Sequence, residues 1–509
     1  MLPMRLPALL AALLLFCSVL VSAASSSLSS SSPSAVGVRT LVVLKDAEAD
    51  RAAYSKLFDR LREKGYQLTF RSAKAATPQL STYELNDFDH LFYWTPSTAP
   101  SATSDLSPQK IVEFMRRGGN LIFGLDSDVT EGNRDFAREF HLDVEPRGTG
   151  LIDHFRTETK LDTGNHTAIL VGGGSRSTSQ SKLSPGGAVL NAHVFSSETL
   201  EQLKTSPILF RGVAHRIGAL PLAFPLLHAP ATSYSTEGPP SEDKSAVPLE
   251  ENLDILTGGQ VASLVSAFQI KENSARALFL GSLDMLKNSF IDAKDLRAAD
   301  GARYASTANL AFATDALGWA MQEHSVLRVA STSHHRVRLN EKDTRPEYEE
   351  SEDAQAVYRV KDLVTFHIDL AQHLPMGGWQ PAPSDLDLQV SLVMLDPYVT
   401  TKLSAAAPQT IVSSGQTQTN ATTRYSASFR MPDRHGVFTF HVDWKRQGWS
   451  YIKTRDTAPV RPFNHDEHPR FLSAAYPYVS GAFSTMTAFV IFCTLWLVVK
   501  EPKQKQKKQ

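Results

Sequence analysis

Cysteine is almost absent from this sequence of 509 residues. Cys17 and Cys493 lie in apolar runs near the two ends, so the chain between them contains no cysteine. This absence excludes disulfides, Cys-ligated zinc and a cysteine nucleophile from the whole central part. An excess of charge of one sign is also missing, because 52 Lys and Arg residues stand against 53 Asp and Glu residues. Such a balance argues against a basic protein that binds nucleic acid.

The two long apolar runs near the ends predict a membrane topology. Residues 6–21 follow Arg5 and precede small residues at 22–24, which is typical of a secretory signal peptide; an uncleaved anchor is the alternative. Residues 479–499 carry no charge and are long enough to cross a bilayer as a helix, against the alternative of a buried core helix. The lysine-rich tail behind this run belongs in the cytosol by the positive-inside rule. The sequence therefore predicts a type I membrane protein whose bulk is lumenal or extracellular.

Four residues are candidates for targeting or modification. Lys505 and Lys507 stand five and three positions from the end of the chain. This spacing resembles the K-x-K-x-x signal that returns type I proteins to the endoplasmic reticulum, although a plain stop-transfer cluster has the same pattern. Asn165 and Asn420 each begin an Asn-x-Thr triplet, so both are candidate glycosylation sites if they are lumenal and exposed.

The first part of the chain has the alternating rhythm of an α/β domain. Short β-branched apolar runs such as 39–44 and 88–94 predict buried strands, and the helical spacing of 48–64 predicts a helix between them. This alternation indicates a parallel sheet with helices packed on it. We also expect a helix over about 303–322 and a mobile loop at the Pro-, Ser- and Glu-rich stretch 229–250.

The pattern changes at about residue 326, where short alternating runs separated by turns begin. Residues 437–444 alternate with a period of two, which predicts an antiparallel β domain of the sandwich type. The predicted organisation is a signal peptide (1–24), a Ser-rich flexible lead-in (25–35), a lumenal α/β domain (36–325), a lumenal β domain (326–457), a tether (458–478), a transmembrane helix (479–499) and a cytosolic Lys-rich tail (500–509).

Motifs for common catalytic sites and cofactors are missing. The glycines at 172–174 lack the spacing of a phosphate-binding loop, and neither a G-x-S-x-G elbow nor an H-E-x-x-H motif occurs. His334 and His335 are adjacent, so in an extended segment their side chains point to opposite faces and a shared metal is not expected. The sequence predicts no cofactor and no metal.

Asp126 and Asp128 match the D-x-D motif of many nucleotide-sugar glycosyltransferases. In that motif carboxylates hold a divalent ion on a diphosphate. The segments 87–89 and 385–387 match as well, so the motif occurs here at background frequency. Asp126 nevertheless follows the predicted strand 120–124, and open α/β sheets bind ligands at the carboxyl ends of their strands. Asp126 and Asp128 are therefore candidates for lining a cleft.

Seven short strings, in one order along the chain, resemble the 48 kDa subunit family of eukaryotic oligosaccharyltransferase. They are SPILFRGV at 206–213, GSLDM at 281–285, VLRV at 326–329, SHHR at 333–336, DPY at 396–398, GVF at 436–438 and AAYPY at 474–478. The resemblance covers about 36–500. It implies that the α/β domain looks like a class I glutamine-amidotransferase fold, whose cysteine nucleophile has no counterpart in this sequence.

The resemblance also implies a function and partners. The family's complex moves an oligosaccharide from dolichyl diphosphate to the Asn of Asn-x-Ser/Thr in nascent chains of the endoplasmic reticulum. Its chemistry belongs to a separate polytopic subunit, so this chain is expected to be a non-catalytic subunit that contacts the catalytic and other membrane subunits and lipid-linked oligosaccharide. The alternative is a freestanding lumenal hydrolase or glycosyltransferase that uses Asp126 and Asp128. Co-isolation with a membrane complex favours the first hypothesis, and an active single chain favours the second.

Overall fold

The computed structural model describes most of the chain between residues 32 and 500. The described ranges are 32–83, 85–98, 104–162, 164–173, 191, 193–237, 256–338, 357–375, 377–406, 410–413, 416–419, 422–468 and 472–500. The predicted signal peptide, Asn420, Lys505 and Lys507 lie outside the described residues, as does most of the predicted loop 229–250.

The part of the chain up to residue 320, here called the N-terminal region, mixes strands and helices. Its helices are α1 (Ala49–Ala53), α2 (Ser55–Glu63), α3 (Pro108–Arg116), α4 (Glu131–Arg138), α5 (Ser197–Thr205), α6 (Asn288–Ile291) and α7 (Asn309–Ala320). Its strands are β1 (Arg39–Leu44), β2 (Gln67–Ser72), β3 (Ser81–Thr82), β4 (Leu85–Asn86), β5 (His90–Trp94), β6 (Asn120–Gly124), β7 (Leu142–Val144), β8 (Thr149–Ile152), β9 (Ile169–Gly172), β10 (Pro207–Phe210), β11 (His215–Ile217), β12 (Ala223–Glu237), β13 (Thr257–Gln269), β14 (Arg276–Leu280), β15 (Lys294–Arg297) and β16 (Arg303–Ser306).

The main sheet of this region is mixed. Five strands run parallel in the order β2, β1, β5, β6 and β14. From β14 onward the pairing is antiparallel, through β13 to β11 and β7, while β12 also pairs with β13 and β8 pairs with β12. The prediction of a parallel sheet is therefore right for five strands and wrong for the others. The reason is visible in the link 270–275, because parallel strands need a crossover of a dozen or more residues and these two strands are joined by six.

Helices cover both faces of the parallel strands. The strands β5, β6 and β14 are buried at every position, as expected when neither face meets water. Phe58 of α2 and Phe312 of α7 belong to the hydrophobic cluster on one face. Phe114 of α3 and Phe136 of α4 belong to the cluster on the other face. Side chains of β1 alternate between the two clusters. Val42 and Leu44 pack on one face of the sheet, and Leu41 and Val43 pack on the other.

Three predictions for the N-terminal region need correction. The helix predicted over 48–64 is two helices, because the backbone leaves helical geometry at Tyr54. The helix predicted over 303–322 begins only at Asn309, since the preceding residues form β16, which pairs with β15. The predicted loop 229–250 is wrong for its first residues, because β12 extends to Glu237 and pairs with β13 and β8.

The β-rich region that follows contains twelve described strands. They are β17 (Val326–Arg336), β18 (Tyr358–Arg359), β19 (Leu363–Leu374), β20 (Gly378–Pro381), β21 (Gln389–Val393), β22 (Pro397–Lys402), β23 (Ser404–Ala405), β24 (Thr410–Ser413), β25 (Gln416–Thr419), β26 (Thr423–Arg430), β27 (Gly436–Trp444) and β28 (Ile452–Arg461). The predicted change to a β-rich region near residue 326 is confirmed.

Two five-stranded sheets enclose the core of the β-rich region. One has the order β17, β19, β26, β23 with β20 beside β19, and the other has the order β18, β28, β27, β21, β22. Phe366 of the first sheet stacks on Phe440 of the second with ring centroids 5.1 Å apart. All of these pairs are antiparallel except the short pair of β18 and β28.

A single apolar helix, α8 (Tyr476–Val498), ends the described chain. Together with the short turn before it, it spans 26 residues from Ser473, its most apolar 18-residue stretch has a mean hydropathy of 1.8, and most of its side chains are exposed. It is long and apolar enough to cross a membrane. The tether predicted from residue 458 is wrong at its start, because β28 continues to Arg461 in pairing with β27 and β18.

Candidate functional site

The carboxyl ends of the parallel strands meet at one edge of the main sheet. Numbered along the chain, the five parallel strands have the order 2-1-3-4-5 across the sheet. This is a doubly wound order in which the chain switches direction between β1 and β5, and such switch points are where open α/β sheets bind ligands. The edge formed by the carboxyl ends of β1, β5, β6 and β14 is therefore the candidate binding site of the main sheet.

Five residues from separate elements gather at this edge, and we call them the carboxyl-edge cluster. Trp94 is the last residue of β5, Asp126 follows β6, and Asp284 follows β14 in a short 3-10 turn. Arg211 follows β10, and Tyr54 stands between α1 and α2. The break in the predicted helix 48–64 is thus the point that brings a tyrosine to the edge.

Asp284 is the ionic centre of the cluster. Its Oδ2 atom accepts a hydrogen bond from Nε of Arg211 at 2.7 Å, and its Oδ1 atom lies 2.6 Å from Nζ of Lys287. The guanidinium of Arg211 also lies over the ring of Phe290, 5.1 Å from its centroid. Charge-assisted contacts on both carboxylate oxygens fix the direction of this side chain.

Asp126 is a half-buried carboxyl with an altered acidity. Burial, together with the nearby charges of Asp284 and Asp128, raises the pKa of Asp126 from 3.8 to about 6. The backbone N–H of Ser127 opposes this by donating to Oδ1 at 2.8 Å. The carboxyl consequently titrates close to neutral pH, so it can act as a hydrogen-bond donor or acceptor.

Asp128 does not join the cluster, because its side chain is exposed. The structure thus separates the two carboxylates that the D-x-D pattern had paired. In the described part of the chain, no group of three or more His, Cys, Asp or Glu side chains is placed to hold a metal ion. Among the candidates from the sequence, only Asp126 lies in the cluster.

Two aromatic rings form the wall of the cluster. Tyr54 and Trp94 lie 5.2 Å apart between ring centroids, and both are almost fully buried. Burial raises the pKa of the Tyr54 hydroxyl, and the charges of Asp284, Asp50 and Asp126 add to the effect, so the hydroxyl keeps its proton. Nε1 of Trp94 is buried and has no hydrogen-bond partner among the described residues.

The arrangement suits binding better than nucleophilic attack. Ser282, the hydroxyl nearest to Asp284 in sequence, donates its proton to the carbonyl of Arg211 at 2.5 Å. The cluster instead combines a carboxyl with a raised pKa and a fixed ion pair beside two buried aromatic rings, and polar groups placed in this way orient a polar ligand. Sequence reasoning missed Tyr54, Trp94, Arg211 and Asp284, although two of the family-like strings, SPILFRGV and GSLDM, contain Arg211 and Asp284.

The remaining candidates from the sequence are scattered. Asn165 lies in a turn where the carboxylate of Asp162 accepts backbone hydrogen bonds, and its side chain is half-buried. His334 is buried with Nδ1 2.6 Å from the hydroxyl of Tyr358, whereas His335 stacks on His367. The two histidines of the pair point apart, as their extended backbone predicted.

The fold defines a class of protein in which a mixed α/β region is followed by a β-rich region and one membrane-length helix. The model of the OST48 N-terminal domain matches residues 31–323, and the model of the OST48 middle domain matches residues 342–500. These matches cover both regions and α8. The chain belongs to the OST48 family.

Similar proteins cover nearly the whole chain. One is the dolichyl-diphosphooligosaccharide–protein glycosyltransferase 48 kDa subunit of Caenorhabditis elegans, 29% identical over 91% of this chain and 92% of the relative. A second is the wbp1 subunit of the same glycosyltransferase from Schizosaccharomyces pombe, 30% identical over 91% of this chain and 92% of the relative. A third, from Danio rerio, is named as the 48 kDa subunit and is 29% identical over 92% of this chain and 93% of the relative.

Proposed function

We propose that this chain is a non-catalytic subunit of the oligosaccharyltransferase complex in the endoplasmic-reticulum membrane. The observation that carries the proposal is membership of the OST48 family across both regions and α8, with relatives that are named as subunits of this glycosyltransferase. The transfer of oligosaccharide from dolichyl diphosphate to Asn of Asn-x-Ser/Thr then takes place on another subunit. The freestanding hydrolase or transferase finds no support in these relatives.

The proposed role includes positioning the donor glycan at the carboxyl-edge cluster. Contacts with parts of a substrate far from the reacting bond supply binding energy that orients the reacting centre. The partly exposed carboxyl of Asp126 and the ion pair of Asp284 with Arg211 support binding of a polar ligand there. The doubly wound strand order supports the proposed relation to the glutamine-amidotransferase fold, from which this chain differs by having no cysteine beside the edge.

The proposed topology places residues 25–475 in the lumen and residues 500–509 in the cytosol, with residues 1–24 removed as a signal peptide. The length and hydropathy of α8 support it. The hydrophobic clusters before residue 325 share no residue with the cluster after it, which supports the proposed boundary between 325 and 326; the later cluster extends to Val460, beyond the predicted end at 457. Protease added to sealed microsomes should remove only the tail beyond Val499, and digestion of the bulk of the chain would contradict this topology.

The function is tested by transfer of lipid-linked oligosaccharide to an acceptor peptide in membranes. Depleting the chain should lower glycosylation of many acceptors together, because the complex is lost. The double variant Asp126→Ala/Asp128→Ala should still assemble and lose about five- to 150-fold at most, as expected for a surface that loses part of its binding energy.

The β-rich region offers a matched control in the second D-x-D segment. The double variant Asp385→Ala/Asp387→Ala removes two exposed carboxylates from the same motif and should leave transfer unchanged. Complete inactivity of an assembled Asp126/Asp128 variant, with an active control, would contradict the non-catalytic role. Failure of the chain to co-isolate with other membrane subunits in mild detergent would contradict membership of the complex.

A further inference from the structure

A concave site lies where the two regions meet. It is a half-open cavity of about 520 Å³, which we call the seam cavity, and its polar lining includes Lys64, His193, Asp315, Glu323 and Gln372. Lys64 follows α2 and Asp315 belongs to α7, whereas Gln372 belongs to β19. Ligand sites of this size occur preferentially between packed regions of a chain. The seam cavity is separate from the carboxyl-edge cluster and shares no residue with it.

The charged walls of the seam cavity are held in place by the protein. The buried carboxylate of Glu323 accepts from Nζ of Lys64 at 2.8 Å and from the hydroxyl of Tyr66 at 3.1 Å. Oδ2 of Asp315 accepts from both the backbone N–H and the hydroxyl of Ser196, each at 2.8 Å. These contacts fix the lining before any ligand arrives, which lowers the entropy cost of binding.

Two polar side chains in the lining keep their hydrogen-bonding groups available. Within the described ranges, neither the amide of Gln372 nor the ring nitrogens of His193 have a hydrogen-bond partner. Burial and the charge of Arg446 lower the pKa of His193, so its ring is neutral at neutral pH and offers one donor and one acceptor. The amide of Gln372 offers both donors and an acceptor.

The charges of the seam cavity favour a ligand without strong charge. Lys64 and Glu323 compensate each other as an ion pair, and Asp315 adds one negative charge. A phosphate group would therefore meet no unpaired cation among these lining residues and would be repelled by Asp315. Phe195 and Trp449 provide apolar surface beside the polar groups.

We propose that the seam cavity binds a carbohydrate, as a neutral ligand rich in hydroxyl groups. Such a ligand presents paired donors and acceptors to Gln372 and His193, and the C–H groups of its rings fit against the small accessible parts of Phe195 and Trp449. This inference concerns a different site from the one invoked in the proposed function and does not depend on it.

The test is a titration of the purified full chain in detergent, followed by saturation-transfer NMR on free disaccharides. The probes are mannobiose, N,N′-diacetylchitobiose and sucrose. At least one should bind saturably, and inorganic pyrophosphate should not displace it. Replacing Gln372 by Ala should weaken binding about three- to tenfold, as expected for the loss of one or two hydrogen bonds.

Gln380 supplies the matched control. It faces Gln372 across the pairing of β19 with β20, but it is exposed and does not line the cavity, so Gln380→Ala should bind as the unaltered chain does. His193→Phe keeps a ring beside Trp449 and removes both nitrogens, and it gives an independent variant if Gln372→Ala does not fold. Absence of saturable binding by all three sugars overturns the proposal. So does unchanged affinity in a folded Gln372 or His193 variant, or displacement of the sugar by pyrophosphate.

Discussion

The two regions of the molecule bury their strands in different ways. In the N-terminal region β5, β6 and β14 are buried at all of their positions, because helices cover both faces of the sheet. In the β-rich region β26 and β27 alternate between buried and solvent-facing residues. Strands buried on both faces are mostly apolar, so the solvent-accessible polar groups near them stand beyond their ends. Asp126 and Asp284 stand at such ends, whereas the polar residues of the β-rich region are spread along its outer faces.

The largest expected effect is the loss of stability when a side chain is shortened in a fully buried strand, compared with the same change at an exposed position of a half-exposed strand. Phe123 in β6 is fully buried and stacks on Tyr93 with centroids 5.2 Å apart. Phe123→Ala should lower the free energy of unfolding by about 3–5 kcal/mol, through lost burial and the cavity left behind. Val437 in β27 is 61% exposed. Val437→Ala should change stability by less than about 0.5 kcal/mol. Denaturant unfolding of both variants measures the difference, and equal losses would refute the distinction.

A second comparison uses two arginines. Arg276 at the start of β14 is fully buried and donates to the carbonyls of Trp319, His324 and Ser325 at 2.7–2.9 Å. Arg276→Met should cost about 2–4 kcal/mol, because buried carbonyls lose their donors. In the β-rich region Arg424 pairs with Asp369 at the surface.

Arg424→Met is the control for that measurement. An exposed ion pair contributes at most about 1 kcal/mol, so this variant should unfold close to the unaltered chain. Thermal unfolding at matched ionic strength decides between the two outcomes. If Arg424→Met lowered the free energy of unfolding as much as Arg276→Met, burial of the arginine would not determine how much stability its removal costs.

The third comparison predicts opposite pH dependence at two carboxyls. The pKa of Asp126 is raised to about 6 in the folded protein, so the folded state holds its proton where the unfolded state, near 3.8, has released it. The contribution of Asp126 to stability therefore falls as pH rises from about 4 to 6. Asp126→Asn should remove this dependence and raise the free energy of unfolding at pH 7.5 by about 1–3 kcal/mol.

Asp369 should behave in the opposite sense. The hydrogen bond from Arg424 lowers the pKa of Asp369, so its ionised form stabilises the fold above the unfolded pKa and the effect is lost as pH falls. Asp369→Asn should therefore destabilise at pH 7.5, by less than about 1 kcal/mol because Arg424 is exposed. Unfolding curves between pH 4 and 8 test both, and a destabilised Asp126→Asn at pH 7.5 would contradict the raised pKa.

The smallest expected effect is that of a reducing agent, which should not change the thermal stability of either region. The chain between Cys17 and Cys493 contains no cysteine, so neither region can hold an internal disulfide. Dithiothreitol should leave the melting temperature of the purified chain unchanged, whereas losing a native disulfide commonly costs about 2–5 kcal/mol. A clear drop in the absence of a disulfide-bonded partner would contradict this.

Local pattern was sufficient for some of these features and insufficient for others. The buried run 120–124 and the alternation at 437–444 gave β6 and β27, because each pattern is written in consecutive residues. The antiparallel half of the main sheet was missed, since pairing between β13 and β11 is decided by contacts distant in sequence. The carboxyl-edge cluster was mostly missed for the same reason, because its members come from five elements that only contacts distant in sequence bring together.

The three carbonyls that Arg276 binds lie in α7 and the connection from it to β17, where the two regions join. The same junction is tied by Nε1 of Trp319, which donates to the carbonyl of Gly448, and by the backbone N–H of Ser450, which donates to Ser325. Because both regions donate hydrogen bonds to this connection, it is not free to bend as a hinge. These contacts oppose rotation of the N-terminal region against the β-rich region, so a protein bound to one region also restricts the orientation of the other.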